Sequence, residues 1–358
     1  MQAQLLVAAL AKPDAAVRAW ELVRPRLDIE SLEPGSFELL PLVHRNLVGV
    51  GHDDPAMPRL KGIYRRAWVK NQLLFGRLRE TAEVLDDARV RFLVIAGPTI
   101  AARYYPDVGL RPTSFFQLLV DGGCEQRALA RLPRARWSLR PGGVAGGNHV
   151  LADGEGSGCI VRTSLAYDFV APAGTAEEPL WQAAQQQEVV GASVLVPCPA
   201  DALLASCVMG ARRAPIRSVQ WLVDAAMIVR AGSIDWERLV ELGAGRAQSL
   251  RLHEALAYLG GLPGVDVPRE VMAQLESFRP TRRERFGYRC AGGSASRLGS
   301  LPEIVAEHLA ATSGESSLGT IARFPYRLRS RWGLQHGRQL PLAAGRRAVG
   351  RLTARRNA

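Results

Sequence analysis

The stretch that decides the fold is Arg91-Phe-Leu-Val-Ile-Ala-Gly97, which holds five consecutive apolar residues and is followed by Pro98. An apolar run of this length, closed by Gly-Pro, is typical of a strand buried on both faces that ends in a tight turn. In the preceding segment, from Leu60 to about Ala88, the apolar residues recur instead at helical spacing beside charged positions. The sequence therefore predicts a long amphipathic helix followed by a central strand.

Three further strands are expected on either side of a glycine-rich segment. The residues from Leu110 to Val120 lead from a loop into the second strand, Cys159–Val170 predicts the third and Val189–Val196 the fourth. The glycines between Arg140 and Gly158 favour a hairpin-rich loop with a short strand near His149.

Helical patterns dominate both flanks of these strands. Short apolar segments broken by prolines predict short helices over residues 1 to about 50. After the last strand, Asp201 is expected to cap a helix that runs through Met209. Three more helices are predicted over Val219–Arg230, from Asp235 to about Leu242 and over Ala247–Leu259.

Charge is concentrated at the C-terminal end of the chain. The 358 residues carry 46 basic and 34 acidic side chains, a formal net charge of +12. Ten arginines and no carboxylate follow Ser316, which leaves +2 on the first 315 residues. The segment Arg323–Arg356 is therefore predicted to be an electrostatic arm for nucleic acid or an anionic membrane surface, a partner-docking segment, or a solvated end without a dedicated role.

The cysteines and apolar runs exclude several classes of protein. The five cysteines are widely spaced and form no C-x-x-C pair, so neither a disulfide framework nor a zinc site is predicted. No apolar run approaches the roughly 18 residues of a membrane span, and no basic residue precedes the short run from Leu5 to Ala11 as in a signal peptide. We expect a cytoplasmic protein without a transmembrane segment.

Several motifs occur in an order that is found in one known family. Residues 60–74 read Leu-Lys-Gly-Ile-Tyr-Arg-Arg-Ala-Trp-Val-Lys-Asn-Gln-Leu-Leu, and residues 104–114 read Tyr-Tyr-Pro-Asp-Val-Gly-Leu-Arg-Pro-Thr-Ser. Residues 221–226 read Trp-Leu-Val-Asp-Ala-Ala, and residues 234–239 read Ile-Asp-Trp-Glu-Arg-Leu. Over about residues 35 to 268 the chain resembles the large bacterial family of uncharacterised nucleotidyltransferases, which have a polymerase-beta-like fold.

The resemblance implies an active site that this chain has changed. In the family, strand one ends in Leu-Lys-Gly, strand two carries Ser-Asp-x-Asp, and a later strand carries an acid followed by x-His-Trp. Carboxylates two apart on a strand point to one face, and with the third acid they hold the Mg²⁺ that bridges a nucleoside triphosphate. Here Ala96 stands in place of the lysine, Phe115 and Gln117 in place of the two aspartates, and Ser164 in place of the third acid, with Ala166 and Tyr167 after it.

The resemblance also implies a set of candidate ligand-binding residues but no metal ligand. These candidates are Gly97, Arg111, Ser114, Gln117, Ser164 and His149. The expected fold is α+β, a nucleotidyltransferase-like mixed sheet flanked by helical regions. The expected divisions are a helical region at 1–87, the α/β core at 88–196, a second helical region at 197–278 and a basic extension at 279–358.

Three functions remain open at this point. The first is a protein without metal-dependent transfer that acts as a binding or accessory protein for a protein partner or small molecule, beside a bacterial biosynthetic enzyme; no cofactor is expected. The second is an active nucleotidyltransferase with an altered, metal-poor site, which would use Mg²⁺ and transfer a nucleotide from a nucleoside triphosphate to a small-molecule or protein hydroxyl. In this case Arg111, Ser114, Gln117 and Ser164 would orient the substrate. The third is an adaptor for nucleic acid or membrane surfaces that uses the basic C-terminal extension.

Overall fold

The computed structural model describes residues 1–145, 148–164, 177–189, 191–210 and 219–282, and beyond these residues 284, 285, 288, 324, 325, 328, 329 and 336–341. Of the arginines in Arg323–Arg356, these ranges include Arg329 and Arg338, so the role expected for this segment stays a prediction. The end of the predicted third strand, with Ala166 and Tyr167, also lies outside the described residues.

Helices form the N-terminal part of the chain. They are α1 (Gln2–Leu10), α2 (Pro13–Val23), α3 (Pro34–Phe37), α4 (Leu40–Gly49) and α5 (Met57–Asp87). The long helix predicted from Leu60 is α5, which has 31 residues and is about 46 Å long at 1.5 Å per residue.

Strands and short helices alternate in the middle of the chain. They are β1 (Phe92–Ala96), α6 (Pro98–Tyr104), β2 (Phe115–Val120), α7 (Glu125–Arg131), β3 (Ser138–Ala145), β4 (Asn148–Ala152), β5 (Gly158–Arg162), α8 (Glu178–Gln182), β6 (Gln185–Val189) and β7 (Ala192–Val196). The first five strands in chain order form a mixed sheet in the order β1-β2-β5-β4-β3, in which β2 and β5 are parallel and the other neighbours are antiparallel. The expected α+β fold with a mixed sheet is confirmed.

Helices follow the strands again. They are α9 (Pro199–Gly210), α10 (Gln220–Arg230), α11 (Trp236–Gly245), α12 (Ser249–Gly260) and α13 (Arg269–Ser277). Three predicted helices agree with α10, α11 and α12 within a few residues. None of the helices that the structure describes is both long and apolar enough to cross a membrane.

Three expectations from the sequence were wrong. The predicted strand Val189–Val196 spans the turn and second strand of a separate hairpin, β6–β7, because Gly191 adopts a φ of 79° that reverses the chain. In the segment from Arg140 to Gly158 the short strand predicted near His149 is confirmed as β4, but the part before it, predicted as loop, belongs to β3. Asp201 does not cap α9; it lies within the first turn, where its buried carboxylate binds Arg238 at 2.8 Å.

The two faces of the sheet pack into different hydrophobic cores. Phe92 and Val94 of β1 belong to the core that includes the C-terminal half of α5, whereas Leu93 and Ile95 belong to the core formed by the flanking helices. Burial on both faces explains the unbroken apolar run of β1. The helical core combines helices from before residue 60 with helices from after residue 197. The four divisions expected from the sequence stay predictions.

Candidate functional site

A cavity of about 400 Å³, the central cleft, lies between the sheet and the helices that pack over it. Its walls are the ends of β1 and β2, the loop before β2, and the helices α5, α6, α9 and α10. The lining residues are Glu38, Ala67, Lys70, Asn71, Ile95, Ala96, Ile100, Arg111, Pro112, Thr113, Ser114, Phe115, Gln117, Ala205, Ser206, Gly210, Gln220, Trp221 and Asp224. The space beside Phe115 and Gln117 is therefore open rather than filled by side chains.

The alternation of β2 places two candidate residues in the cleft. Phe115 and Gln117 line it, while Phe116 between them is buried in the core on the other face of the sheet. Gln117 lies opposite Ala96 of β1 in the antiparallel pair. Its side chain is only 6% exposed, and its Oε1 atom has no hydrogen-bond partner among the described residues.

Gly97 brings the end of β1 close to the start of β2. Its φ of 93° and ψ of −123° are rarely adopted by residues with a side chain. A Cβ atom there would overlap the carbonyl oxygen of Phe115 and lie 3.0 Å from the Cα of Phe116. The glycine thus permits the close approach that shapes this edge of the cleft.

A buried ion pair joins the loop before β2 to α10. Arg111 donates from Nε to Oδ1 of Asp224 and from Nη2 to Oδ2, both at 2.7 Å. The same carboxylate accepts from the Tyr105 hydroxyl at 2.7 Å and from Nε2 of Gln220 at 3.2 Å. The Asp224 carboxylate therefore accepts four hydrogen bonds, from Arg111, Tyr105 and Gln220.

Burial and the Asp224 carboxylate shape the pKa values of its two strongest partners. Burial alone would lower the pKa of Arg111, but the attraction of Asp224 outweighs it and the pKa is raised. Burial, supported by the Asp224 charge, also raises the pKa of Tyr105 well above its ordinary value. Arg111 stays charged and Tyr105 stays protonated in this network. The proposed ligand-binding role of Arg111 stays a prediction, and two of its nitrogen atoms are already engaged.

The loop that precedes β2 is tied to α5 by a buried asparagine. Asn71 donates from Nδ2 to the carbonyl oxygens of Val108 (2.6 Å) and Arg111 (2.8 Å), and its Oδ1 accepts from the Thr113 amide at 3.2 Å. About two turns earlier on α5, the Tyr64 hydroxyl donates to Asp107 at 2.9 Å. The segment with the sequence Tyr-Pro-Asp-Val-Gly-Leu-Arg is thus held against α5 by hydrogen bonds shortly before β2 begins.

Two candidate residues lie away from the cleft. The parallel register pairs Gln117 with Ile160, so Ser164 lies four residues further along, roughly 13 Å at 3.3 Å per residue and beyond the end of β5. The Ser164 hydroxyl donates to Glu177 at 2.9 Å, and Glu177 binds Arg246 at 3.1 Å. On β4, His149 contacts Glu125 of α7 through Nε2 at 2.7 Å. Only Gly97, Arg111, Ser114 and Gln117 of the six candidates are brought together.

Sequence reasoning missed several cleft residues on the helices. Lys70 of α5 and Gln220, Trp221 and Asp224 of α10 were not among the candidates, although they line the same cavity. Trp221 and Asp224 are three residues apart, a spacing that places both on one helix face. This spacing is the sequence signal that could have identified the two residues as neighbours on one surface.

Few anionic oxygen atoms line the cleft among the residues that the structure describes. Glu38 and Asp224 are the carboxylates that line it, and Asp224 is engaged as described. Among the described residues no group of three or more His, Cys, Asp or Glu side chains is placed to hold a metal. Protein sites for Mg²⁺ rely on carboxylate oxygens, whereas Phe115 and Ala96 carry no side-chain oxygen and Gln117 carries only a neutral amide oxygen.

Comparison with known proteins finds a family to which part of the chain is similar. Residues 159–263 match a family model described as uncharacterised nucleotidyltransferase, a part of the chain that runs from β5 beyond the end of α12. No curated protein and no solved structure matches the chain. Positions 96, 115 and 117 precede the matched part, so their departure from the family pattern stays an expectation. Residues 159–263, less than a third of the chain, are therefore similar to a family of uncharacterised nucleotidyltransferases.

Proposed function

We propose that this nucleotidyltransferase-family protein has lost metal-dependent nucleotidyl transfer and binds a small molecule in the central cleft, as a binding or accessory protein. The observation that carries the proposal is the chemistry at the start of β2. Phe115 and Gln117 occupy the cleft positions where the family resemblance implies two carboxylates. An aromatic ring and a neutral amide do not replace anionic oxygen ligands for Mg²⁺.

The charges around the cleft support the same proposal. The positive charge of Arg111 is compensated by Asp224, and Glu38 also favours the charged form of Arg111. Nucleotidyl transfer needs cations that neutralise the developing charge on the phosphates. With Arg111 engaged, Lys70 is the remaining lysine or arginine among the described lining residues, which is little for a triphosphate without metal.

Titration calorimetry with ATP, GTP, CTP and UTP, with and without Mg²⁺, tests the proposal together with an assay of pyrophosphate release. We expect no Mg²⁺-dependent heat and no pyrophosphate above the level without protein. Micromolar binding that requires Mg²⁺, or pyrophosphate release, would contradict the proposal and support the active-transferase alternative. A Phe115→Asp/Gln117→Asp variant that remains folded is expected to gain Mg²⁺ binding, because it restores two carboxylates on one face of β2.

A further inference from the structure

Helix α5 carries a continuous row of residues that are not buried, the α5 stripe. The row advances by alternating steps of three and four residues, the spacing at which side chains share one face of a helix. Its members are Arg59, Gly62, Arg66, Val69, Leu73, Gly76, Glu80, Glu83 and Asp87. Leu74 and Leu78, on the opposite face, are buried in the core. The helix therefore keeps one long face available for a further contact.

The middle of the α5 stripe is apolar. Val69 is 51% exposed and Leu73 is 67% exposed, and they lie on neighbouring turns. Gly62 and Gly76 lie seven residues to either side of Val69, and no atom lies within 4 Å of the point where a Cβ atom of either glycine would be. Short side chains at a contact allow two helices to approach closely. A second helix therefore fits over the two apolar side chains.

The charges of the α5 stripe change sign between its two halves. In chain order they are Arg59, Arg66, Glu80, Glu83 and Asp87. Arg59 also pairs with Glu30, and Glu83 with Arg79, but both stripe residues remain more than half exposed. Exposed ion pairs of this kind contribute little free energy and exchange partners easily. The stripe thus presents a basic half and an acidic half on either side of an apolar centre.

A second copy of the same stripe, turned end for end, matches this pattern. When Val69 of one copy lies opposite Leu73 of the other, the steps of three and four residues coincide along both helices. The opposed pairs are then Arg59 with Glu83, Gly62 with Glu80, Arg66 with Gly76, and Val69 with Leu73. Arg66 also lies one turn from Glu80 of the other copy. Parallel pairing would instead place each charged residue against its own copy, which is repulsive.

The change of sign also distinguishes this partner from other anionic surfaces. A membrane of anionic lipids or a nucleic acid attracts the basic half but repels the acidic half, which lies on the same face of the helix. Identical chains most often associate about a twofold axis, with the same surface used by both copies. The charge pattern therefore favours a second copy of this chain.

We propose that two copies of this chain associate through the α5 stripe, in antiparallel orientation about a twofold axis beside Val69 and Leu73. The inference goes beyond the proposed function, since the described lining of the central cleft includes no residue of the α5 stripe. Loss of metal-dependent transfer and association through α5 can therefore be tested separately.

The length of the stripe limits the strength of the dimer. The stretch from Arg59 to Glu83 is about 36 Å long at 1.5 Å per residue, so a contact about 10 Å wide covers roughly 360 Å² of each copy. Stable interfaces cover about 800 Å² of each partner. Lys70 lies beside the stripe, near its own copy across the twofold axis, which lowers the affinity further. We expect a Kd on the order of 10–100 µM.

Sedimentation velocity of the full chain, from about 1 to 300 µM, tests the association. We expect a monomer–dimer equilibrium whose Kd rises about threefold or more between about 50 and 500 mM NaCl, because salt screens the opposed charges. Leu73→Glu should raise the Kd about tenfold or more, because it places an unpaired carboxylate in the apolar middle of the contact. Leu22→Glu is the matched control: Leu22 of α2 is 65% exposed, and its replacement should leave the Kd unchanged.

A charge exchange tests the antiparallel orientation. Arg59→Glu and Glu83→Arg, made singly, should each weaken the dimer, because each places like charges opposite one another at both ends of the contact. The double variant Arg59→Glu/Glu83→Arg should restore the original Kd. Restoration is expected of antiparallel pairing alone, since in parallel pairing each residue would still meet its own copy.

Four results would overturn the inference. They are a monomer at every concentration of the unmodified chain, a dimer that Leu73→Glu leaves intact, single charge variants that the double exchange does not rescue, and a monomer that sediments with phosphatidylglycerol vesicles through Leu73. The last result would assign the stripe to a membrane surface. The measurement on the unmodified chain does not depend on the folding of any variant, and circular dichroism checks the folding of each one.

Discussion

At the scale of single residues, Gly97 shows how one missing side chain shapes the candidate site. The end of β1 and the start of β2 approach each other so closely there that no Cβ atom fits. The backbone conformation, with a φ of 93°, independently favours glycine. Two separate physical reasons therefore require glycine at this position.

Replacement of Gly97 by alanine is expected to destabilise the chain by more than about 3 kcal/mol. The strained backbone alone costs about 1–3 kcal/mol, and the overlap with Phe115 adds to it. Gly154→Ala is the matched control, since Gly154 has a φ of 80° but no atom within 4 Å of the point where a Cβ would lie. Urea unfolding should show the larger loss for Gly97→Ala; equal losses would mean that the close approach to β2 is unimportant.

At the scale of elements, the segment between α6 and β2 is held by α5 as well as by its own short 3-10 helix, Val108–Leu110. Asn71 is fully buried and makes three hydrogen bonds to the backbone of residues 108–113. Gly109 lies against the side chains of Tyr64 and Trp68, where a Cβ atom would come within 2.9 Å of both. This bracing fixes the start of β2, and with it Phe115 and Gln117.

Asn71→Leu should therefore loosen the loop before β2. The change leaves two carbonyl groups and one amide without a partner, and each lost bond costs about 1 kcal/mol or more, so we expect a loss of about 3 kcal/mol. Hydrogen exchange should become faster at residues 108–113. Gln72→Leu is the control, because it removes a neighbouring side-chain amide of α5 that does not share these hydrogen bonds to the loop. Unchanged exchange in Asn71→Leu would show that other contacts hold the segment.

The sequence predicted an element best where the spacing of its apolar residues depended on the burial of that element alone. The apolar run of β1 and the helical spacing of α5 predicted both elements, since each pattern reflects burial of that element alone. Glycines concealed β3, and the continuous apolar run around Gly191 concealed the turn between β6 and β7. The cleft was predicted only in part because Lys70, Gln117 and Trp221 are brought together by packing between distant segments.

At the scale of the whole molecule, the Arg111–Asp224 pair connects the sheet to the helices that cover it. The pair is buried and lies at the cleft, with Tyr105 and Gln220 completing the network. Removing one member of a buried pair leaves the other charge without compensation. Loss of either partner is therefore expected to destabilise the protein more than loss of one partner of an exposed ion pair.

A double-mutant cycle measures this dependence. We expect Arg111→Met and Asp224→Asn each to cost about 3–5 kcal/mol, and the double variant to cost clearly less than the sum of the two. The Arg24–Asp54 pair, with side chains 37% and 11% exposed, should show a smaller coupling energy, about 1 kcal/mol or less. Additive losses at Arg111 and Asp224, measured by denaturant unfolding, would contradict the assignment.

The long helix α5 has a consequence for the cooperativity of unfolding. Its N-terminal half contributes Leu60 to the helical core, and its C-terminal half contributes Phe75, Leu78 and Leu85 to the core on the other face of the sheet. β1 is likewise divided between the two cores. Neither core can lose its structure without exposing apolar side chains of the shared helix and strand, so the two cores form one cooperative unit despite their separate packing.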